Sequence, residues 1–130
     1  MAETSRWIAI VDDDPSVLRA LTRLLRVRAF HAKKFGSARE FLASLPAGLP
    51  ECLIVDLQMP EMSGLELLQH LTRNAIQIPT IVITAHGDIG MRERCESAGA
   101  VAFLTKPLQD TVLLGAIAEA RRSHPGVSEA

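Results

Sequence analysis

The stretch Cys52-Leu53-Ile54-Val55-Asp56-Leu57-Gln58-Met59-Pro60 decides the fold. Cys52–Val55 contains no charged or hydrogen-bonding side chain beyond a thiol and ends on a carboxylate. A short apolar run of this kind reads as a strand buried on both faces, the mark of a strand inside a parallel sheet. An aspartate held against such a strand needs partners, because an isolated buried charge is costly.

Four further runs lie to either side. Trp7–Val11, Thr80–Thr84 and Val101–Leu104 are continuously apolar or nearly so, which predicts strands covered on both faces. Phe30–Phe35 alternates with His31, Lys33 and Lys34, as a partly exposed edge strand does. The segments between the runs carry helix punctuation. Asp14-Pro15 is an N-cap followed by proline at the first helical position. Val17, Leu18, Leu21, Leu24 and Leu25 then share one face, with Arg19, Arg23 and Arg26 opposite. Ser37-x-x-Glu40 and Ser63-x-x-Glu66 fit the capping box, Asp88 and Asp110 read as caps of the fourth and fifth helices, and Gly99 reads as the stop of the fourth. Met91, Cys95 and Ala98 form the apolar stripe of the fourth helix; Leu113, Leu114 and Ile117 form that of the fifth.

Five strands alternating with five helices predict an α/β chain, a (βα)5 three-layer sandwich around a parallel sheet. The flavodoxin-like strand order 2-1-3-4-5 suits it, since it leaves the polar second strand at an edge. The 130 residues are one domain in size. The expected boundaries are an N-terminal tail 1–6, a domain 7–122 and a polar tail 123–130 containing Pro125-Gly126.

Composition excludes several classes. The hydrophobic fraction of 48% argues against disorder, and the formal charge of −1 gives no overall reason to expect nucleic acid or an anionic membrane as partner. No apolar run is long enough to span a bilayer, and Met1–Arg6 lacks the apolar core of a signal peptide. Cys52 and Cys95 are far apart and both fall on apolar positions, so two buried thiols in a reducing cytoplasm are expected. His31, His70, His86 and His124 are scattered and give no zinc spacing.

The chemistry collects at the carboxyl ends of the strands. Asp12, Asp13 and Asp14 follow the first, Asp56 the third, Thr84 ends the fourth, and Lys106-Pro107 follows the fifth. In an open parallel sheet those ends converge on one rim, and the crevice between strands one and three is where ligands bind. Two carboxylates about 4 Å apart repel by about 4 kcal/mol at an effective dielectric near 20. Lys106 supplies one compensating charge; the remainder invites a hard divalent cation with oxygen ligands. A metal, an ammonium and a hydroxyl together suit phosphoryl oxygens, and an aspartate beside them can act as a nucleophile. Taken singly, the residues have plainer readings. Asp14 is a cap, Asp12 and Asp13 are solvated loop acids, Thr84 is a strand former and Lys106 a turn residue.

Together they resemble the receiver domains of bacterial response regulators, over nearly the whole chain. The motifs are Val11-Asp12-Asp13-Asp14, Val55-Asp56-Leu57-Gln58-Met59-Pro60 with Ser63-Gly64, Ile83-Thr84-Ala85, and Leu104-Thr105-Lys106-Pro107. His86-Gly87-Asp88 is most similar to the FixJ-type transcriptional subgroup. The resemblance implies that Asp56 accepts a phosphoryl group from a sensor histidine kinase or phosphotransfer protein. It implies Mg²⁺, or Mn²⁺ in its place, bound by Asp13 directly, by Asp12 mainly through water, by Asp56 and by the Gln58 carbonyl. Lys106 and the Thr84 hydroxyl would contact the phosphoryl group, and the Gln58 and Ala85 N–H groups would complete its cradle. Phe103 matches the switch aromatic, although its spacing alone fits an ordinary strand residue. The Lys106-Pro107 bond matches a position that is often cis. The implied readout is a changed surface on the fourth helix, fifth strand and fifth helix, acting on an effector, an output domain or a second copy of the chain. His86, two residues past Thr84, stands where a side chain can orient or exclude hydrolytic water, but an exposed loop histidine is the plainer reading.

Two other functions compete. A Mg²⁺-dependent phosphohydrolase would want an aspartate two positions past its nucleophile; Gln58 stands there after Asp56, whereas Asp12-x-Asp14 has the spacing but is followed by Pro15. A degenerate receiver that only binds is disfavoured by the intact acidic, hydroxyl and lysine positions. The expectation is therefore a phosphoacceptor signalling domain rather than a turnover enzyme, either a stand-alone receiver or part of a longer regulator.

Overall fold

The computed structural model describes residues 6–123, and of the expected tails 1–5 and 124–130 lie outside them. Five parallel strands, β1 (Trp7–Val11), β2 (His31–Phe35), β3 (Cys52–Asp56), β4 (Thr80–Thr84) and β5 (Ala100–Thr105), form one sheet in the order β2-β1-β3-β4-β5. Helices α1 (Pro15–Val27), α2 (Ala38–Ser44), α3 (Gly64–Arg73), α4 (Ile89–Ser97) and α5 (Asp110–Ser123) connect or follow them. No helix among the described residues is long and apolar enough to cross a membrane.

Strand alternation sorts the core into two layers. Ile8, Ile10, Ile54, Ile81 and Ile83 project toward α1 and α5, where Leu18, Leu21, Leu25, Leu113 and Ile117 meet them. Ala9, Val11, Leu53, Val55 and Val82 project the other way, against Phe41, Leu67, Leu71 and Cys95 of α2, α3 and α4. β1, β3 and β4 are buried at every position, as their apolar runs predict.

β5 departs from that expectation. Only Phe103 is buried along it, and Val101 remains 38% exposed. Its apolar run belongs to the second edge of the sheet, where one flank has no neighbouring strand. Apolar periodicity alone does not separate a central strand from an edge strand partly covered by helices.

The caps mostly stand where the punctuation places them. Asp14 accepts from Ser16 N, Asp88 from Met91 N, and Ser63 and Glu66 form a full reciprocal box. At α2 only half the box forms: Ser37 accepts from Glu40 N, but the Glu40 carboxylate reaches back to Gly36 N at 3.0 Å. Asp110 is the first residue of α5 and not its cap, since the helix is already entered at Gln109, whose carbonyl accepts from Leu113 N. Gly99 follows α4 at φ +112°, whereas Ala29 and Ala75 take the same left-handed role after α1 and α3 without a glycine.

Gly64 positions the site. A Cβ there would lie 2.6 Å from the Asp56 carbonyl oxygen and 3.0 Å from Leu57 Cα, both backbone atoms unable to swing aside. The first turn of α3 is thereby pressed onto the end of β3, with Gly64 N donating to Leu57 O at 2.9 Å. Gly64→Ala is expected to destabilise by about 1–3 kcal/mol through overpacking; urea unfolding that matched the wild type would show that the loop accommodates the methyl group.

Candidate functional site

The site is made by strand ends that the sheet order brings to one rim. Asp12 follows β1, Asp56 closes β3, Thr84 closes β4 and Lys106 follows β5. Backbone bonds lock these ends in register: Leu57 N donates to Ile83 O at 2.8 Å, and Lys106 N to Thr84 O at 2.7 Å. The Lys106–Pro107 peptide is cis.

Lys106 Nζ lies 3.3 Å from Asp12 Oδ2 and 3.4 Å from Asp56 Oδ1, so one ammonium bridges two carboxylates. Asp12 is fully buried, which corrects the reading of it as a solvated loop acid. Its second oxygen accepts from Asp14 N at 2.9 Å, and a buried charge needs such partners. Asp13 is exposed, and Asp14 is an exposed cap, held below the usual carboxylate range by the Ser16 hydroxyl and N–H.

The charges do not balance. Carboxylate oxygens of Asp12, Asp13 and Asp56 all lie within 4.8 Å of one another. Burial, and then the neighbouring Asp12 charge, push Asp56 up to about 6, against the opposing pull of Lys106. Burial alone would lower Lys106, but Asp12 and Asp56 outweigh it and hold the ammonium above its ordinary range. An all-oxygen, net-anionic cluster with one exposed member fits a hard divalent cation that keeps part of its hydration.

Thr84 is fully buried, and its hydroxyl faces its own loop, accepting from His86 N at 3.1 Å and donating to His86 O at 3.2 Å. Gln58 and Ala85 are exposed at the rim, and their N–H groups have no acceptor among the described residues. His86 is exposed, as the plainer reading expects. Phe103 is buried under α4. Cys52 is buried at the far end of β3 from Asp56, and burial pushes its thiol up to about 12, so it is an inert core residue.

Three contributors carry no assigned role in the sequence reading. Gly87 lies so close to β5 that a Cβ would meet Thr105 Oγ1 at 2.8 Å and Phe103 Cε2 at 3.4 Å. Its sequence signals, a place just after the fourth strand and membership of the His86-Gly87-Asp88 motif, say nothing of that close approach. Arg92 of α4 donates to Phe103 O at 3.3 Å and stands 5.8 Å from the centre of its ring. An exposed helical arginine gives no warning of that contact. Glu61, in the loop after Asp56, holds φ +67°, an uncommon conformation for a residue with a side chain.

Comparison with known proteins agrees with this geometry. The response regulator receiver domain family matches residues 8–118. Nodulation protein W of Bradyrhizobium diazoefficiens is 44% identical over 119 residues, covering 92% of this chain and 52% of that protein. The transcriptional regulatory protein FixJ of Rhizobium meliloti is 44% identical over 117 residues, covering 90% of this chain and 57% of that protein. The chain therefore spans little more than half the length of these curated relatives. Among solved structures, FixJ-N superposes with a TM-score of 0.85 at 42% identity, over 93% of this chain and 97% of that one. With four strand ends delivering the acidic, hydroxyl and lysine groups to one rim and the family matching from β1 into α5, the chain belongs to the response regulator receiver domains of two-component systems and is close to the FixJ type.

Proposed function

We propose that Asp56 is the phosphoacceptor of this receiver, taking a phosphoryl group from a phosphohistidine on a sensor kinase or phosphotransfer protein. The observation that carries the reading is the Lys106 ammonium bridging Asp12 and Asp56 in a crevice that still holds excess negative charge. An Asp56 carboxylate oxygen forms the new O–P bond as the donor P–N bond breaks, and the donor imidazole keeps the electron pair. Catalysis is positioning and charge neutralisation, with little covalent work for other side chains. Lys106 follows the charge from the carboxylates to the phosphoryl oxygens. The Gln58 and Ala85 N–H groups donate to those oxygens at the rim. Mg²⁺, or Mn²⁺, held by Asp12, Asp13, Asp56 and the Gln58 carbonyl, would supply Lewis-acid neutralisation of the phosphoryl charge.

The switch follows from the Thr84 hydroxyl. It leaves His86 for a phosphoryl oxygen, which loosens the loop packed by Gly87 against Phe103. The added charge shifts a pre-existing equilibrium between two packings. Ile89, Val101 and Val112 expose apolar surface on α4, β5 and α5, respectively, a face suited to a second copy or an output domain. The relatives of about twice this length include transcriptional regulators, so control of transcription through a further domain is the proposed output. The phosphohydrolase alternative is less well supported, because Gln58 stands two positions past Asp56 and Asp14, two past Asp12, caps α1.

Acetyl phosphate with Mg²⁺ is expected to place one phosphoryl group per chain on the wild type and none on Asp56→Asn, read by intact mass; wild-type labelling of the variant would refute the assignment, and steady turnover of a phosphomonoester would favour the hydrolase. Mg²⁺ at a hundredfold its dissociation constant is expected to stabilise the wild type by about 2.7 kcal/mol. Thermal melts should show a much smaller Mg²⁺ gain in Asp13→Asn. Without metal, the folded protein holds the Asp56 proton up to about pH 6, well above the ordinary carboxyl value of 3.8. Ionising this group therefore costs stability, which is fully present below the ordinary value and lost as pH rises through about 6. In chelator, Asp56→Asn is expected to melt above the wild type at neutral pH, with the gap closing as pH falls toward 4; a gap constant with pH would exclude titration of Asp56 as its cause.

A further inference from the structure

The near-zero net charge conceals a segregation. The stretch Pro15–Arg39 carries half of the 14 basic residues and none of the 15 acidic ones. Arg19, Arg23 and Arg26 lie on one face of α1 at helical spacings of four and three, and Lys34 reaches the same groove from β2. All four are exposed, and none has an ion-pair partner among the described residues. Neighbouring cations on one helix face repel, so the free protein holds this stripe at a cost.

The groove they line has a volume of about 750 Å³, and Ala20, Thr22 and Val27, the last 74% exposed, line it with them. Thr22 adds an independent observation. It is 6% exposed, and its hydroxyl is a buried side-chain oxygen with no hydrogen-bond partner among the described residues. Such orphaned groups are rare and call for an explanation. The groove is separate from the phosphoacceptor crevice and from the α4–β5–α5 face: none of its lining residues belongs to either.

We infer that this groove is a docking surface for an acidic helix of a partner protein. Arginine forks pair bidentately with carboxylates, and glutamates spaced four and three apart on a partner helix would repeat the spacing of the stripe. A nucleic acid fits less well. From Arg19 to Arg26 the helix advances only about 10 Å, too little to follow many phosphates, and a phosphate backbone gains nothing from exposed Val27 beside them. Arginine mixed with apolar surface is the composition of a protein interface. The surface acts whether or not Asp56 is modified.

The test is fluorescence anisotropy with three labelled probes: a helical peptide bearing glutamates at the matching spacing, the same composition with glutamates spread around the helix, and a short duplex DNA. The wild type and Asp56→Asn are expected to bind the matched peptide alike, more weakly as salt rises. Arg23→Glu/Arg26→Glu should lose on the order of tenfold or more in affinity, with its circular dichroism and acetyl phosphate labelling unchanged. The surface is refuted if the matched peptide does not bind the wild type, if it binds no better than the spread one, if charge reversal leaves its affinity intact, or if only DNA binds. Failure of Asp56 labelling would leave each of these readouts standing.

Discussion

One ammonium holds the molecule's functional end together. Lys106 Nζ stands 3.3 Å from a fully buried Asp12 and 3.4 Å from Asp56, and without it two carboxylates would face each other across the ends of β1 and β3 with nothing between them. Removing one partner of a buried charge group leaves the other uncompensated, which costs more than the pair contributes. One ammonium leaves the Asp12–Asp56 pair one charge short, and Asp13, which joins the same cluster, widens the deficit to two. Burial, and then that deficit, raise the proton affinity of Asp56, and the excess negative charge suits the crevice to a cation. An arrangement that was fully neutralised would have nothing to gain from a metal.

The rest of the fold serves to keep that bridge in place. The isoleucine layer against α1 and α5 and the mixed layer against α2, α3 and α4 fix the strands from both sides. Gly64 lets α3 press against the Asp56 carbonyl, and the Thr84 carbonyl ties down the backbone of Lys106. A phosphoryl group arriving on Asp56, as proposed, would meet donors already in position. The Thr84 hydroxyl is the exception: it is bound to His86, and in the proposed switch it would change partners. Rigid strands with one exchangeable contact are what a two-state element requires.

The two edges of the sheet differ in chemistry. At β2 the edge is basic, and together with α1 it gathers arginines and lysines that the crevice does not use. At β5 the edge is apolar and half covered, with Arg92 clasping Phe103 from α4. An exposed strand edge is a natural place for a second chain, and polar or covered edges suppress indiscriminate pairing. The apolar edge adjoins β4, which ends at Thr84; the basic edge lies at the opposite side of the sheet.

Much of this was legible in the residues alone. Apolar runs ending in aspartate, threonine and lysine, separated by capped amphipathic segments, determine the strand count, the parallel order and the rim on which Asp12, Asp56, Thr84 and Lys106 gather, because periodicity and capping are local properties of the chain. The half exposure of β5, the depth of Asp12, the turn of the Thr84 hydroxyl toward His86, the reach of Arg92 to Phe103 and the orphaned Thr22 oxygen were not. Each depends on which distant group lies within a few ångströms. Burial and hydrogen bonding are properties of packed neighbours, and only the folded chain chooses those neighbours.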